Sequence, residues 1–348
     1  MLTQILFPVL STLMTALACL GARRIGQALM LIDKPAAKAH ALHEKETPLV
    51  GGLAILIPWI IAALAYAGTL PVSPVGANSV LLSLPLLSLV IFFLILGALD
   101  DRYHLSPRSR LWISVLAYFA VVMQTSALQI GSLSMPGLGL SISLGYFAAP
   151  FTVLCLVALT NAVNMADGRN SLVIGMCCIW IITLVFRLPE FARPMALGLA
   201  AALLVAGICN WRGRLFLGDA GAYALACLIG LWAIWTHQLG QDRGGLSSTQ
   251  LGTLFAIPAL DMIRLIVLRL HKGVSIMSPD NDHLHHRLDR FCGWNIGLVI
   301  YLLMVAVPIT VAVTGPRTGI LGLSLACTLY ALVWAMTRQA ASPKMSVL

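Results

Sequence analysis

Charge is what this chain has least of. Only 10% of its 348 residues are Asp, Glu, Lys or Arg, against about 25% in a soluble domain, and that shortage excludes an ordinary water-soluble globule. Mean hydropathy is +0.92, with 59% hydrophobic residues. The eight cysteines include no CxxC pair and most sit in apolar runs, so neither a zinc site nor a disulfide framework is indicated. They read as small hydrophobes inside helices. Low-complexity runs, internal repeats and a separate soluble domain are also missing. The first charge is Arg23. A cleavable signal would open on basic residues ahead of a short apolar core, so Met1–Leu20 is expected to be a true membrane span.

Long apolar runs fill most of the remainder. Eleven spans are expected, near 3–22, 49–69, 79–99, 111–128, 147–165, 171–187, 195–210, 215–236, 249–270, 296–313 and 318–337. At 1.5 Å per helical residue, runs of this size cross about 30 Å of hydrocarbon. The expected fold is all-α: a polytopic membrane helix bundle of about 11 transmembrane helices, forming one domain over 1–348. Alternate connections then separate the charges. Of 22 Lys and Arg, all but Arg187, Arg193, Arg243 and Arg317 fall on one side. The positive-inside rule makes that side cytoplasmic, with the N-terminus outside and the C-terminus inside. The uncharged stretch 129–148 is expected to be a loop with room for a re-entrant piece.

The acids follow the bases. Of thirteen Asp and Glu, all but Glu190 and Asp242 lie on or near the same face. Orientation does not require this, because Asp and Glu contribute little to it. That face therefore needs carboxylates for chemistry.

Its motifs are specific. Asp100 and Asp101 stand side by side at the end of the third span, where two carboxylates repel unless a cation or hydrogen bonds intervene. Arg102, Arg108 and Arg110 follow. In "NAVNMADGRNSL" (161–172) Asn161, Asn164, Asp167 and Asn170 recur every three residues, a ridge of oxygen-bearing side chains suited to a hard cation or polar ligand. In "WRGRLFLGDAGAY" (211–223) Asp219 lies between Gly218 and Gly221, where the backbone can approach a ligand closely, with Phe216 three residues earlier as an aromatic face. "SPDNDHLHHRLDR" (278–290) carries His283, His285, His286 and Arg287 within five residues. Clustered imidazoles can mean zinc, but phosphate binding by imidazole and guanidinium fits better here. Upstream, "HEKETPLVGG" (43–52) brings Lys45 and a double glycine to the second span. Asp261 and Arg264, three residues apart inside the ninth span, most simply pair with each other. Carboxylates and carboxamides favour Mg²⁺, which typically also contacts substrate phosphates, and phosphoryl transfer rests mainly on positioning and charge stabilisation. The set points to one water-soluble phosphate substrate and one embedded in lipid.

Five stretches in order, "DKPAAKAHALHEKETPLVGG", "DDRYHLS", "NAVNMADG", "FLGDAG" and "SPDNDHLHHRL", resemble the motifs of the polyprenyl-phosphate N-acetylhexosamine-1-phosphate transferases, glycosyltransferase family 4. The likeness is strongest to the WecA-type undecaprenyl-phosphate GlcNAc-1-phosphate transferases. It implies a Mg²⁺-dependent enzyme, with Mn²⁺ as substitute, in the bacterial inner membrane, its active site cytoplasmic and built by loops near 23–48, 100–110, 165–171, 210–219 and 271–293. The implied reaction transfers GlcNAc-1-phosphate from a UDP-sugar to undecaprenyl phosphate, releases UMP and initiates O-antigen or related envelope glycan synthesis.

The resemblance assigns Asp219 and Asn164 to the metal, with Asp167 the alternative to Asn164. It assigns Asp100, Asp101 and Asp167 to catalysis, and Asn170 and Phe216 to the nucleotide and its uracil. His283, His285, His286 and Arg287 go to the diphosphate and sugar, and Lys45, Arg102, Arg108 and Arg110 to the lipid phosphate. Partners are a UDP-N-acetylhexosamine, undecaprenyl phosphate and membrane lipid, with homodimerisation an open option and no nucleic acid. Alternative donors are UDP-GalNAc, UDP-QuiNAc and UDP-FucNAc; a secondary transporter of a phosphorylated metabolite is the alternative from another class. Two departures stand out: Asn170 and Ser171 replace the second Asp and Gly of the family's DGxDG, and Ala222 replaces the Ser of GDxGS.

Overall fold

A computed structural model describes residues 2–34, 46–67, 84–240, 244–277 and 282–338. Among these are thirteen α-helices and two small antiparallel two-stranded sheets. The helices are α1 (Leu2–Leu20), α2 (Ala22–Leu29), α3 (Gly51–Ala67), α4 (Leu84–Tyr103), α5 (Pro107–Val122), α6 (Ala148–Ala166) and α7 (Leu172–Val185). They continue with α8 (Arg193–Trp211), α9 (Gly218–Gln238), α10 (Ser248–His271), α11 (Leu284–Cys292), α12 (Trp294–Ala312) and α13 (Gly319–Met336).

Within the described residues each expected span overlaps a helix, while 68–69 and 79–83 of the second and third spans lie outside them. Six helices, α6, α8, α9, α10, α12 and α13, are long and apolar enough to cross a bilayer, and α1 with α2, bent by 69°, makes a seventh if counted as one. The chain is thus an all-α integral membrane protein. The uncharged stretch 129–148 contains no re-entrant helix. It forms a hairpin of β3 (Ser132–Met135) and β4 (Leu140–Ser143), while β1 (Ile32–Asp33) pairs with β2 (Thr47–Pro48). Two segments expected as loops carry short helices, α2 and α11. Lys45 lies outside the described residues.

The core is organised around α9, which is buried along nearly its whole length. Apart from Asp219 its first turn is made of Gly and Ala, so neighbouring backbones reach it directly. A Cβ on Gly52 of α3 would lie 2.2 Å from the Gly221 Cα, and one on Gly97 of α4 would lie 2.4 Å from the Ala220 Cα. Small residues allow this approach, the usual means of packing helices where lipid removes the hydrophobic drive. Deeper in, Trp59 packs edge-on against Trp232 with ring centroids 5.7 Å apart and donates from its indole to the Met195 carbonyl at 2.9 Å. The glycine contacts hold the acidic ends of α4 and α9 together.

Candidate active site

The paired acids at the end of α4 point in different directions and do different jobs. Asp100 is buried. Its Oδ1 accepts from the Leu105 backbone N–H at 2.9 Å, closing the chain after α4. Its Oδ2 accepts from Arg110 at 2.6 Å and from the Tyr223 hydroxyl at 2.8 Å. Arg110 also donates to the Tyr223 oxygen at 3.0 Å, and its guanidinium is 3.9 Å from Asp219. Arg110 is carried by α5, whose first turn is set by Pro107 and by Ser106 accepting from the Ser109 N–H.

Asp101 caps another helix. Its two oxygens accept the backbone N–H groups of Asp219 at 3.0 Å and Ala220 at 3.2 Å, and the residue before α9, Leu217, has no side-chain cap of its own. A carboxylate at a helix N-terminus satisfies orphan donors and meets the positive end of the dipole. Gly218 has φ +74°, and a Cβ there would lie 2.7 Å from Asp101 Oδ2, so only glycine suits the turn.

Asn164 comes from the last turn of α6, and its amide donates to Asp219 Oδ1 at 2.5 Å. Three residues on, the Asp167 carboxylate has no hydrogen bond among the described residues. Burial, and then the charges of Asp219 and Asp101, push its pKa well above the carboxylate range. Such crowding is relieved by a proton or by a cation. Among the described residues no three His, Cys, Asp or Glu are grouped to hold a metal unaided. Mg²⁺ does not need that many, since one or two carboxylates and substrate phosphates usually suffice. Two acids and a carboxamide, one acid unpaired, fit a hard divalent cation.

The next residues bind this cluster to α11. Gly168 is in van der Waals contact with His285, so close that a Cβ would fall 2.3 Å from Nε2. Arg169 forms an ion pair with Asp289, and Trp294 donates from its indole to the Asn170 carbonyl at 3.1 Å. His285 is 1% exposed and neither ring nitrogen has a partner among the described residues. Burial first, then His286 and His283, hold its pKa far below the ordinary value. His286 is lowered to about 4 by burial, then by His283, Arg169 and Arg290. The rings of His283 and His285 stack at 5.3 Å and those of His285 and His286 lie at 4.2 Å.

The other members of this motif are anchored away from the carboxylates. Asp261 of α10 pairs with Arg264 at 3.0 Å as expected. It also accepts from Tyr330 at 2.8 Å and from the Leu284 N–H at 3.2 Å, and contacts His283 Nδ1 at 3.2 Å. Arg287 is held by Asp282 through two bonds of 2.8 and 2.6 Å, and one of its nitrogens, Nη1, is buried without a partner among the described residues. Arg287 and Arg264, against the effect of burial, hold the Asp282 pKa below the usual range.

Asp100, Asp101, Asn164, Asp167, Asp219 and Arg110 therefore meet at one place, and Gly168 connects them to His285. Phe216 lies at the rim, where its backbone bonds both Pro48 and Gly51 at 2.9 and 2.8 Å. Asn170 and the anchored His283 and Arg287 flank the cluster, while Arg102 and Arg108 are exposed. Tyr223 and Asp282 escaped the sequence reading. Tyr223 is one helical turn from Asp219 in "GDAGAY", and that spacing was its signal.

The family model for Glycosyl transferase family 4 matches residues 83–237, the segment that holds every carboxylate of this cluster. An undecaprenyl-phosphate alpha-N-acetylglucosaminyl 1-phosphate transferase of Yersinia pestis is 30% identical over 282 residues, 77% of this chain and 72% of the relative. The Salmonella typhi protein of that name is 31% identical over 282 residues, with the same two coverages. A probable undecaprenyl-phosphate N-acetylglucosaminyl 1-phosphate transferase of Bacillus subtilis is 27% identical over 276 residues, again 77% and 72%.

Proposed function

The chain belongs to glycosyl transferase family 4, and on that footing we propose that it transfers N-acetylhexosamine 1-phosphate from a UDP-sugar to undecaprenyl phosphate, with GlcNAc 1-phosphate as the first choice. The convergence of Asp101, Asn164, Asp167 and Asp219 beside Arg110 supports this reading. The relatives are named for undecaprenyl phosphate and N-acetylglucosaminyl 1-phosphate. A phosphate oxygen of the lipid attacks the β-phosphorus of the nucleotide sugar. The bond from that phosphorus to the UMP oxygen breaks, UMP leaves, and the sugar phosphate remains on the lipid as a diphosphate.

Asp219 and Asn164, with Asp167 alongside, would hold a Mg²⁺ ion, for which Mn²⁺ would substitute, and such an ion would supply charge neutralisation to the diphosphate oxygens. A lipid phosphate is already largely ionised at pH 7, its second pKa lying near 6, so no base is required for attack. With both oxygens engaged, Asp100 positions Arg110 for the incoming phosphate. Asp101 presents the first turn of α9. The histidine motif faces the diphosphate and sugar, with the unpartnered nitrogens of His285 and Nη1 of Arg287 as its open groups. Phe216 and Asn170 serve the uracil, whose carbonyl and N3–H a carboxamide can match. Lys45, Arg102, Arg108 and Arg110 serve the lipid phosphate.

In this reading the protein crosses the bacterial inner membrane eleven times with this face in the cytoplasm, and its product begins an envelope glycan such as O-antigen. A transporter would place its polar groups near the bilayer midplane in broken helices, whereas these stand at helix ends. Purified protein with undecaprenyl phosphate and a panel of UDP-sugars, scored by UMP release, tests the reaction and identifies the donor. Asp219→Ala should abolish Mg²⁺-dependent release while the protein still folds in detergent. Turnover near wild type in that variant would contradict the metal assignment.

A further inference from the structure

A groove of about 430 Å³ runs between α3 and α4 and is closed at one end by the segment after α2. That volume is within the range of roughly 300–1,000 Å³ typical of ligand sites. Its lining is aliphatic, including Leu31, Ile57, Ile61, Ile95 and Leu99, with one charged residue, Arg102. Ile57, Ile61, Ile95 and Leu99 are exposed, so the groove opens sideways where lipid surrounds the bundle. It exists because α3 and α4 both press their glycines onto the first turn of α9 and leave a wedge on the opposite side.

Arg102 gives the groove a polarity. The two carboxylates just before it are turned away, Asp100 to Arg110 and Tyr223, Asp101 to the start of α9. Arg102 makes no ion pair among the described residues. Its contacts are the Met30 sulfur at 3.4 Å, a weak acceptor, and the Tyr103 ring at 5.2 Å. A cation with no counter-ion among the described residues, at the end of an aliphatic slot open to the bilayer, matches a molecule with a long apolar body and an anionic head. A free phosphate would leave the slot empty, and a neutral prenol would leave the guanidinium unmet. Arg102 also directly follows Asp101, whose carboxylate accepts the Asp219 backbone N–H, so the charged end of the slot is one residue along α4 from the acidic cluster.

We propose that the α3–α4 groove holds the isoprenoid segment of the undecaprenyl phosphate acceptor next to its head, with Arg102 guiding the phosphate toward the Asp219 cluster. The inference rests on the transferase reading above. Two tests separate them. In the first, Ile57→Trp and Ile95→Trp fill the slot and Arg102→Ala removes the cation. Each should raise KM for undecaprenyl phosphate about tenfold or more, the loss of a few buried methylenes or one phosphate contact. KM for the UDP-sugar should stay within twofold, and Arg102→Lys should recover most of the Arg102→Ala loss. An unchanged lipid KM in all three variants overturns the proposal.

The second test needs no turnover. A diazirine-bearing prenyl phosphate, photolysed with the full-length wild-type protein in nanodiscs, should label α3 and α4 peptides. Undecaprenyl phosphate should compete and phosphatidylglycerol should not. Labelling confined to other helices, or equal competition by the phospholipid, overturns the groove as the acceptor's seat. Failure of the wild type to release UMP from any UDP-sugar would sink the transferase reading, while the labelling still decides the groove.

Discussion

Replacing Gly168 with alanine is the smallest change that tests whether the carboxylate loop and the histidine motif form one site. A Cβ at 168 would lie 2.3 Å from His285 Nε2, 3.1 Å from Cε1 and 3.3 Å from Cδ2. The first contact is shorter than real Cβ atoms show and the other two are tighter than most, so something must move. His285 is not a flexible side-chain end. It is buried and wedged between His283 and His286. The loop is pinned directly after Gly168, by Arg169 to Asp289 and by the Asn170 carbonyl to Trp294. Overpacking of this kind costs about 1–3 kcal/mol, and a displacement near 1 Å of a positioning group costs on the order of a hundredfold in rate.

Gly168→Ala is therefore expected to lower the thermal midpoint in detergent and to reduce kcat/KM for UMP release by one to two orders of magnitude. The double variant with His285→Ala sharpens the claim. Removing the imidazole opens the space that the new methyl needs, so the stability loss of Gly168→Ala should shrink by about 1–2 kcal/mol in that background, although activity stays low. Strictly additive losses of stability, or a Gly168→Ala enzyme with wild-type midpoint and turnover, would refute the contact and with it the joining of the two motifs.

Three further outcomes follow from single contacts. Asp101→Ala strips two backbone donors at the start of α9 of their acceptor and should cost about 1–2 kcal/mol in thermal unfolding, whereas Asp101→Asn, which keeps one acceptor, should cost less. Ser171 has φ +65° and is held there by Asn210, whose side-chain oxygen accepts the Ser171 N–H at 2.5 Å; Ser171→Gly should stabilise by about 1 kcal/mol, and an unchanged or lower midpoint would speak against strain. His285 and His286 have folded pKa values below the unfolded value near 6.5, so the unfolded chain binds more protons below that pH. Their stabilising share is intact above it and is lost as pH falls toward about 4; His286→Gln should flatten the fall of the thermal midpoint between pH 6.5 and 4.

The helices were legible because each span is a long apolar run, and a lipid-facing chain must satisfy its backbone within the segment. Their ends were not. The third span was expected to stop at 99, yet α4 runs to Tyr103, because Asp100 and Asp101 are stabilised by Arg110, Tyr223 and the start of α9, none of them neighbours in sequence. The hairpin over 132–143 was hidden by its lack of charge, although its alternation of Ser with Leu, Met and Ile around Pro136-Gly137 is a strand signal. In the site, residue identity was readable and orientation was not. Nothing in "DDR" tells which acid meets the guanidinium of Arg110, which caps a partner helix, and which way Arg102 turns. Successive helical residues point about 100° apart, so three adjacent side chains serve three surfaces: Asp100 fixes Arg110, Asp101 fixes the backbone of Asp219, and Arg102 is exposed beside Met30. Once α4 is seated on α9 through Gly97, that division of labour is forced by helix geometry. A substitution that rotated α4 by a single residue would exchange all three roles at once.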